Sequence, residues 1–300
     1  SSRLPCREEM AISNQEEFMI RLRIDLPCAP QCHFSRGFTR IAGLIILLTW
    51  GIFLFPQTGI SENLSLTEAR HLTFLFTNDT HSHLLPFTHT EFGKDIGGIA
   101  RRHELIKRIQ AEKSICFLFD GGDIFQGTAF YSFFQGEVDI KAFDACGYDA
   151  TVLGNHDLDD GLANTQRQFA SSTMRLLCAN VFGADGKPVF PGWQIFDREG
   201  MKVGVIGAIG SIAWEVVSGR NRHGMVFKEH EDLVASLAAW LQPQVDLVVL
   251  LSHAGYESDL DFAARPTDVD VIVGGHTNTT LYQPQLIKHR PALVPNRSDN

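Results

Sequence analysis

Three hundred residues, 44% hydrophobic and 20% charged, are enough to bury a full hydrophobic core, which excludes a stapled miniprotein and an intrinsically disordered chain. Lys and Arg number 26 against 35 Asp and Glu, a formal net charge of −9, and no basic run longer than a dipeptide follows residue 62. This argues against nucleic-acid binding by a basic surface, and it repels anionic substrates unless a bound metal reverses the sign locally.

Between Arg40 and Glu62 the sequence carries no charge, and Ile41 to Phe55 (IAGLIILLTWGIFLF) is almost continuously apolar, with Arg36 and Arg40 upstream. A core helix fits poorly, because no polar stripe interrupts the apolar faces. The pattern is that of an export or anchoring signal. Its centre falls short of the ~20 residues of a spanning helix, and Gly59-Ile60-Ser61 supplies small residues for cleavage after Ser61. A tilted signal anchor, with Met19 as the start, is the rival reading. Residues 1–61 are therefore expected to be a targeting or membrane-anchor segment, touching the membrane through residues 41–61, and residues 62–300 the folded domain. Arginines upstream stay inside, so the domain is expected to be exported, in a periplasmic or extracellular space.

From His71 onward short apolar runs bounded by Gly, Asn or Asp alternate with helical segments. HLTFLF, SICFLF, DATVLG, RLLCAN, KVGVIGAIG, DLVVLLS and VDVIVGG read as buried strands. Ala100 to Lys113 places Leu105, Ile106 and Ile109 on one helical face, and Glu231 to Leu241 places Leu233, Leu237 and Leu241 on another. The alternation predicts an α/β fold. Cys6, Cys28, Cys32, Cys116, Cys146 and Cys178 form no CxxC pair or disulfide framework, and Cys116 and Cys178 read as buried hydrophobes. The aromatic stretch AFYSFFQG, residues 129–136, reads as core packing of a short helix, with lining of a substrate cleft as the alternative. Asn63, Asn78, Asn278 and Asn296 open Asn-x-Ser/Thr triplets, to which no function is assigned.

Side chains able to bind metal recur just past the apolar strands, where open α/β sheets place their ligands. Asp79 and His81 follow the first strand and Asp123 the second. Asn155 and then His156 follow the third, and His253, His276 and Asn278 follow the last two. Each taken alone is a turn or a cap; the repetition at five strand ends is what points to a site. Oxygen and imidazole donors without thiolate suit Zn²⁺, Mn²⁺, Fe²⁺ or Mg²⁺, and seven donors are too many for one ion, so two divalent ions are expected. A shared carboxylate would hold them ~3.5–4 Å apart, a geometry suited to in-line displacement at phosphorus. Two such ions would also overcompensate the two carboxylates, Asp79 and Asp123, and so admit an anionic substrate.

The segments TNDTHSH, GGIAR, DGGDIFQG, GNHDLD, SHAG and GGHTN, in this order from about His71 to Asn278, closely resemble those of the calcineurin-like metallophosphoesterases, in their 5′-nucleotidase and UDP-sugar hydrolase branch. The resemblance implies a four-layer α-β-β-α sandwich with a dinuclear site at strand ends. By motif, Asp79, His81 and Asn278 match ligands of one metal, Asn155, His253 and His276 those of the other, and Asp123 the bridge. His156 matches the residue that stabilises the phosphoryl group, Asp159 the acid that orients its imidazole, and Asn155 and His156 the contacts to phosphate. Asp157 and Asp160 are neighbouring alternatives for the orienting role. A hydroxide between the metals is the implied nucleophile, and a nucleotide phosphoester the implied substrate. Cyclic nucleotides, nucleotide-sugar pyrophosphates or sulfur esters, and a non-catalytic membrane-tethered scaffold, are the alternatives. Relatives add further strands and usually a base-stacking second domain; this chain stops at Asn300, so the catalytic domain is expected to be incomplete at its C-terminus and to lack the part that recognises substrate.

Overall fold

Each of the seven short apolar runs from His71 onward becomes a strand because its β-branched and aromatic side chains can be buried on both faces at once. The computed structural model describes residues 20–26, 70–90, 93–112, 115–281 and 284–287. Strand β1 (Ile20–Leu26) is followed by β2 (Arg70–Thr77), a hairpin of β3 (Phe87–His89) and β4 (Gly93–Ile96), helix α1 (Ile99–Gln110) and β5 (Ile115–Asp120). Next come α2 (Ala129–Phe134), α3 (Glu137–Cys146), β6 (Ala150–Val152), α4 (Leu162–Phe169), β7 (Arg175–Leu177) and β8 (Val181–Gly183). The remainder is β9 (Trp193–Arg198), β10 (Met201–Ile209), α5 (Ser211–Val216), β11 (Met225–Phe227), α6 (Glu231–Leu241), β12 (Leu247–His253), α7 (Tyr256–Ala263) and β13 (Val271–Gly274).

Two sheets carry the architecture, one in the order β1-β2-β5-β6-β7 and the other β13-β12-β10-β9. Neighbours run parallel except at one edge of each sheet, where β1 pairs antiparallel with β2 and β9 antiparallel with β10. Alternation along the strands builds the layers. Ile115, Phe117 and Phe119 of β5 meet Val203 and Val205 of β10 and Leu247, Val249 and Leu251 of β12 between the sheets. The intervening Cys116 and Leu118 turn outward to Leu105, Ile106 and Ile109 of α1 and Phe143 of α3. On the far side, Val248 and Leu250 turn outward to Val234, Ala238 and Leu241 of α6 and Phe262 of α7. The result is an α-β-β-α sandwich, in which each fully buried Phe contributes about 1.5–3 kcal/mol.

The α1 face is the expected one. In α6 the buried face centres on Val234, Ala238 and Leu241, and Leu233 and Leu237 flank it, because the sheet lies under the stripe next to the one the leucines mark. The aromatic stretch also differs from its expected core role. Tyr131 packs on Phe125 at 5.4 Å between ring centroids, whereas Phe133 and Phe134 are exposed, since the six-residue helix α2 presents only one narrow face to the core. Cys116, Cys146 and Cys178 are buried and form no disulfide. The apolar stretch Ile41–Phe55 lies outside the described residues, among which no helix is long and apolar enough to cross a membrane. Within the segment expected to be targeting sequence, Ile20–Leu26 forms the β1 edge strand.

Candidate metal centre

Parallel strands deliver their C-terminal ends to the same side of the sandwich, and the polar residues past those ends meet there. Asp79 and His81 follow β2, Asp123 follows β5, Asn155 and His156 follow β6, His253 ends β12, and His276 follows β13. Donor atoms of Asp79, His81 and Asp123 lie within 4.8 Å of one another, and so do those of Asp123, His253 and His276. Asp123 is common to both groups. Asn155 joins the second, its Oδ1 lying 3.2 Å from His253 Nε2. Asn278 is exposed, on left-handed backbone at φ 50°, and its side chain makes no hydrogen bond with the described residues.

The imidazoles are aimed from behind. His253 Nδ1 donates to the Gly121 carbonyl at 2.7 Å, which directs Nε2 at Asp123 Oδ2, 3.2 Å away. His81 Nδ1 donates to the Phe125 carbonyl at 3.3 Å and points Nε2 toward Asp79. Asp79 accepts from the His276 backbone N–H, at 3.1 Å and 3.0 Å to its two oxygens, and from Asn78 Nδ2 at 2.6 Å. Backbone bonds that fix the tautomer and the ring plane are the usual supports of metal-ligating side chains. Close approach demands glycine at two positions. A Cβ on Gly154 would lie 2.1 Å from Asp123 Oδ1, and one on Gly122, at φ 90°, would lie 2.8 Å from His253 Nδ1.

Charge separates the members of the cluster. Burial alone would lower the His253 pKa, but the Asp123 carboxylate, its hydrogen bond and the Asp79 charge outweigh burial and raise it to about 9. Burial would likewise raise Asp123, yet the His253 charge and hydrogen bond hold it below the usual carboxylate range. A proton on His253 Nε2 and a cation would compete for the same nitrogen. His276 is pushed down by burial and by the His253 charge, which keeps its nitrogen free to donate. Two neighbouring sets of oxygen and imidazole donors about a common carboxylate thus fit divalent ions.

Beside them, His156 Nδ1 lies 2.9 Å from Asp159 Oδ2. That hydrogen bond, offset by partial burial and aided by the charge of Asp123, raises the His156 pKa. Both side chains are partly exposed, and the His156 ring stands edge-on to His81 at 5.3 Å. Asp157, one of the alternatives for orienting His156, is turned the other way: buried, it accepts the backbone N–H groups of Gly154, Asp123, Ile124 and Phe125 at 2.8–3.2 Å. Asp160 is exposed. Sequence reasoning missed two groups, Asp157 as the tie between the β5 and β6 loops, and Asn221, whose Nδ2 donates to the Asp159 carbonyl at 2.6 Å. The carboxylate inside GNHDLDD was a signal for the first; nothing in the sequence marked the second.

Oxygen and imidazole donors gathered at the strand ends of a two-sheet sandwich mark the chain as a metal-dependent phosphoesterase. Residues 72–279 match the calcineurin-like phosphoesterase family, and the chain belongs to it. It is 33% identical over 222 residues to a 5′-nucleotidase of Diplobatis ommata, covering 70% of this chain and 38% of that protein. Among solved structures it is similar to a 5′-nucleotidase precursor from Thermus thermophilus, at 31% identity and TM-score 0.63 over 68% of this chain and 41% of that one. It is also similar to an NAD nucleotidase of Haemophilus influenzae, at 25% identity and TM-score 0.61 over 68% and 42%. The chain spans about two fifths of the length of the curated relatives it matches.

Proposed function

We propose that this chain is the catalytic unit of a 5′-nucleotidase-like hydrolase that releases phosphate from nucleotide monoesters. The observation that carries the reading is the sharing of Asp123 between the Asp79–His81 pair and the His253–His276 pair. Asp79, His81 and Asn278 would hold one divalent ion and Asn155, His253 and His276 the other, with Asp123 common to both. Zn²⁺, Mn²⁺, Fe²⁺ and Mg²⁺ all accept such donors. When bound, the ions supply Lewis acidity toward phosphoryl oxygens and a hydroxide nucleophile at neutral pH.

The protein's own contribution is alignment and charge. Asp159 accepts the Nδ1–H of His156 in a hydrogen bond, favours the cationic form of the ring, and leaves Nε2–H to meet a phosphoryl oxygen as negative charge develops there. Buried Asp123, Asn155 and His253 make a floor, and half-buried His81, His156 and His276 make the rim that meets phosphate. The uncharged stretch before Glu62 supports an exported protein.

Phosphate release from AMP on addition of Mn²⁺ or Zn²⁺ is the direct test. His156→Ala should lower kcat by about 10²–10³-fold, the loss associated with one transition-state hydrogen bond, at unchanged metal content. Absence of metal-dependent phosphate release from every nucleotide monoester tried would remove the assignment. A second reading, cleavage at the pyrophosphate of a dinucleotide, draws on the likeness to the NAD nucleotidase. NAD, a cyclic nucleotide, a nucleotide sugar and a sulfur ester in the same substrate series discriminate these activities, and a scaffold would hydrolyse none of them.

A further inference from the structure

Asp120 ends β5, is fully buried, and belongs to neither donor cluster. Its Oδ1 accepts the Gly122 N–H at 2.9 Å and the Thr151 hydroxyl at 3.0 Å, and its Oδ2 accepts the Thr77 hydroxyl at 2.6 Å. Thr77 ends β2 and Thr151 lies in β6, so one carboxyl joins three adjacent parallel strands at the end that bears the site. Behind it the Thr77 hydroxyl lies 2.8 Å from the Tyr148 hydroxyl, and Arg102 donates to both Tyr148 and Thr80 at 3.3 Å.

The connection to the site runs through one peptide group. The Gly122 N–H held by Asp120 and the Gly121 carbonyl are two ends of the same planar unit, which rotates only as a whole. Its carbonyl end receives His253 Nδ1–H at 2.7 Å. The next carbonyl, that of Gly122, receives the Asp79 N–H at 2.9 Å, and the residue after it is Asp123. Without a grip on the N–H end, a Gly–Gly turn has wide conformational freedom, and the three groups that hang from it lose a common reference.

We propose that Asp120 is a positioning residue for the metal centre: by clamping the Gly121–Gly122 peptide it fixes the His253 imidazole and the Asp79 backbone, and thereby sets metal affinity from outside the ligand set. The inference rests on the metal-centre reading above. It differs from a purely structural role, in which losing Asp120 lowers thermal stability and leaves the affinity for metal alone.

The experiment is calorimetric titration of Mn²⁺ into the whole metal-stripped protein, with thermal unfolding of each metal-free variant alongside. Asp120→Ala should weaken Mn²⁺ binding about tenfold or more, the range found when partners behind a ligand are removed. Asp120→Asn should restore affinity to within about threefold, because its amide oxygen can still accept from Gly122 while its NH₂ faces a Thr77 hydroxyl free to accept. Thr151→Val, an isosteric change that frees one side of Oδ1, should weaken binding about threefold and serves if Asp120→Ala does not fold. Wild-type affinity in Asp120→Ala or, should that variant not fold, in Thr151→Val overturns the inference even if the melting temperature falls, and so does an Asp120→Asn protein as weak as Asp120→Ala. A wild-type protein that takes up no Mn²⁺ overturns the metal-centre reading, and this inference with it.

Discussion

Replacing Asp157 by Asn exchanges one buried oxygen for an NH₂ group, and the structure says what that exchange meets. Oδ2 accepts the Gly154 N–H at 2.8 Å and the Asp123 N–H at 3.2 Å, while Oδ1 accepts Ile124 N–H at 3.1 Å and Phe125 N–H at 3.2 Å. Whichever way the amide is turned, its NH₂ confronts two backbone donors with no acceptor for either. A buried polar group left unmatched costs about 1–3 kcal/mol, so two give about 2–6 kcal/mol, a large share of the 5–15 kcal/mol typical of a whole domain. At about 2–4 °C per kcal/mol, the melting temperature should fall by roughly 5–20 °C. Differential scanning calorimetry of metal-free wild type and variant measures this directly. A shift under about 1 °C would refute the four-donor argument. A variant that melts like the wild type yet loses turnover would instead return Asp157 to the task of orienting His156.

Two further substitutions test other parts of the reasoning. Asp139 is fully buried with neither oxygen hydrogen-bonded, and burial, partly offset by the nearby Ser82 hydroxyl, raises its pKa to about 6. The folded protein thus keeps a proton that the unfolded chain releases above pH 3.8, and this group's contribution to stability falls as pH rises from about 4 to about 6. Asp139→Asn should match the wild type near pH 4 and exceed it by about 3 kcal/mol at pH 8, read as the difference in urea midpoints; a constant difference across pH would refute the assignment. Gly154→Ala places a methyl 2.1 Å from Asp123 Oδ1 and 2.4 Å from Asp123 N. Overpacking of this kind costs about 1–3 kcal/mol, and because the shared carboxylate must move, bound Mn²⁺ measured by elemental analysis should fall as well.

The seven strands and the two long helices were legible because burial on both faces leaves uninterrupted apolar runs, and one-sided burial leaves a 3.6-residue period. Leu241 lies in the core as expected, and Leu233 and Leu237 lie at its margin for a physical reason: helical periodicity marks an apolar arc, while the packing partner selects which stripe within it is fully covered, here Val234, Ala238 and Leu241. Phe133 and Phe134 do mislead, since aromatic character alone does not say whether a one-and-a-half-turn helix has a second surface to lie against. The strand-end donors could be read one by one, and their convergence is what the parallel topology adds. Hydrogen bonds between distant segments, such as that from Asn221 to the Asp159 carbonyl, 62 residues apart, leave no periodic trace. Asp157 shows the intermediate case: its place beside His156 advertises a role, and only the fold shows that its carboxylate binds backbone.

Backbone conformation explains why the proposed ligands are these residue types. Asp79, His81, Asp123, His276 and Asn278 all have positive φ, at 49°, 45°, 55°, 78° and 50°, a region that costs an ordinary side chain about 1–2 kcal/mol and is normally left to glycine. A residue just past a parallel strand has been travelling away from the sheet, and a left-handed turn brings its side chain back over the strand ends. Glycine would make that turn without strain and would bring nothing to bind. Asp, Asn and His are the non-glycine residues most often found there, and they are also hard and borderline metal donors. The exceptions follow the same logic. His253 is still within β12, where extended backbone already points it inward, and Asn155 opens a helical turn with φ −68°. Strain is therefore concentrated where the chain must double back to present a donor, and at Asp123 the Asp120 and Asp157 carboxylates, which bind the backbone from Gly122 to Phe125, hold the turn in place.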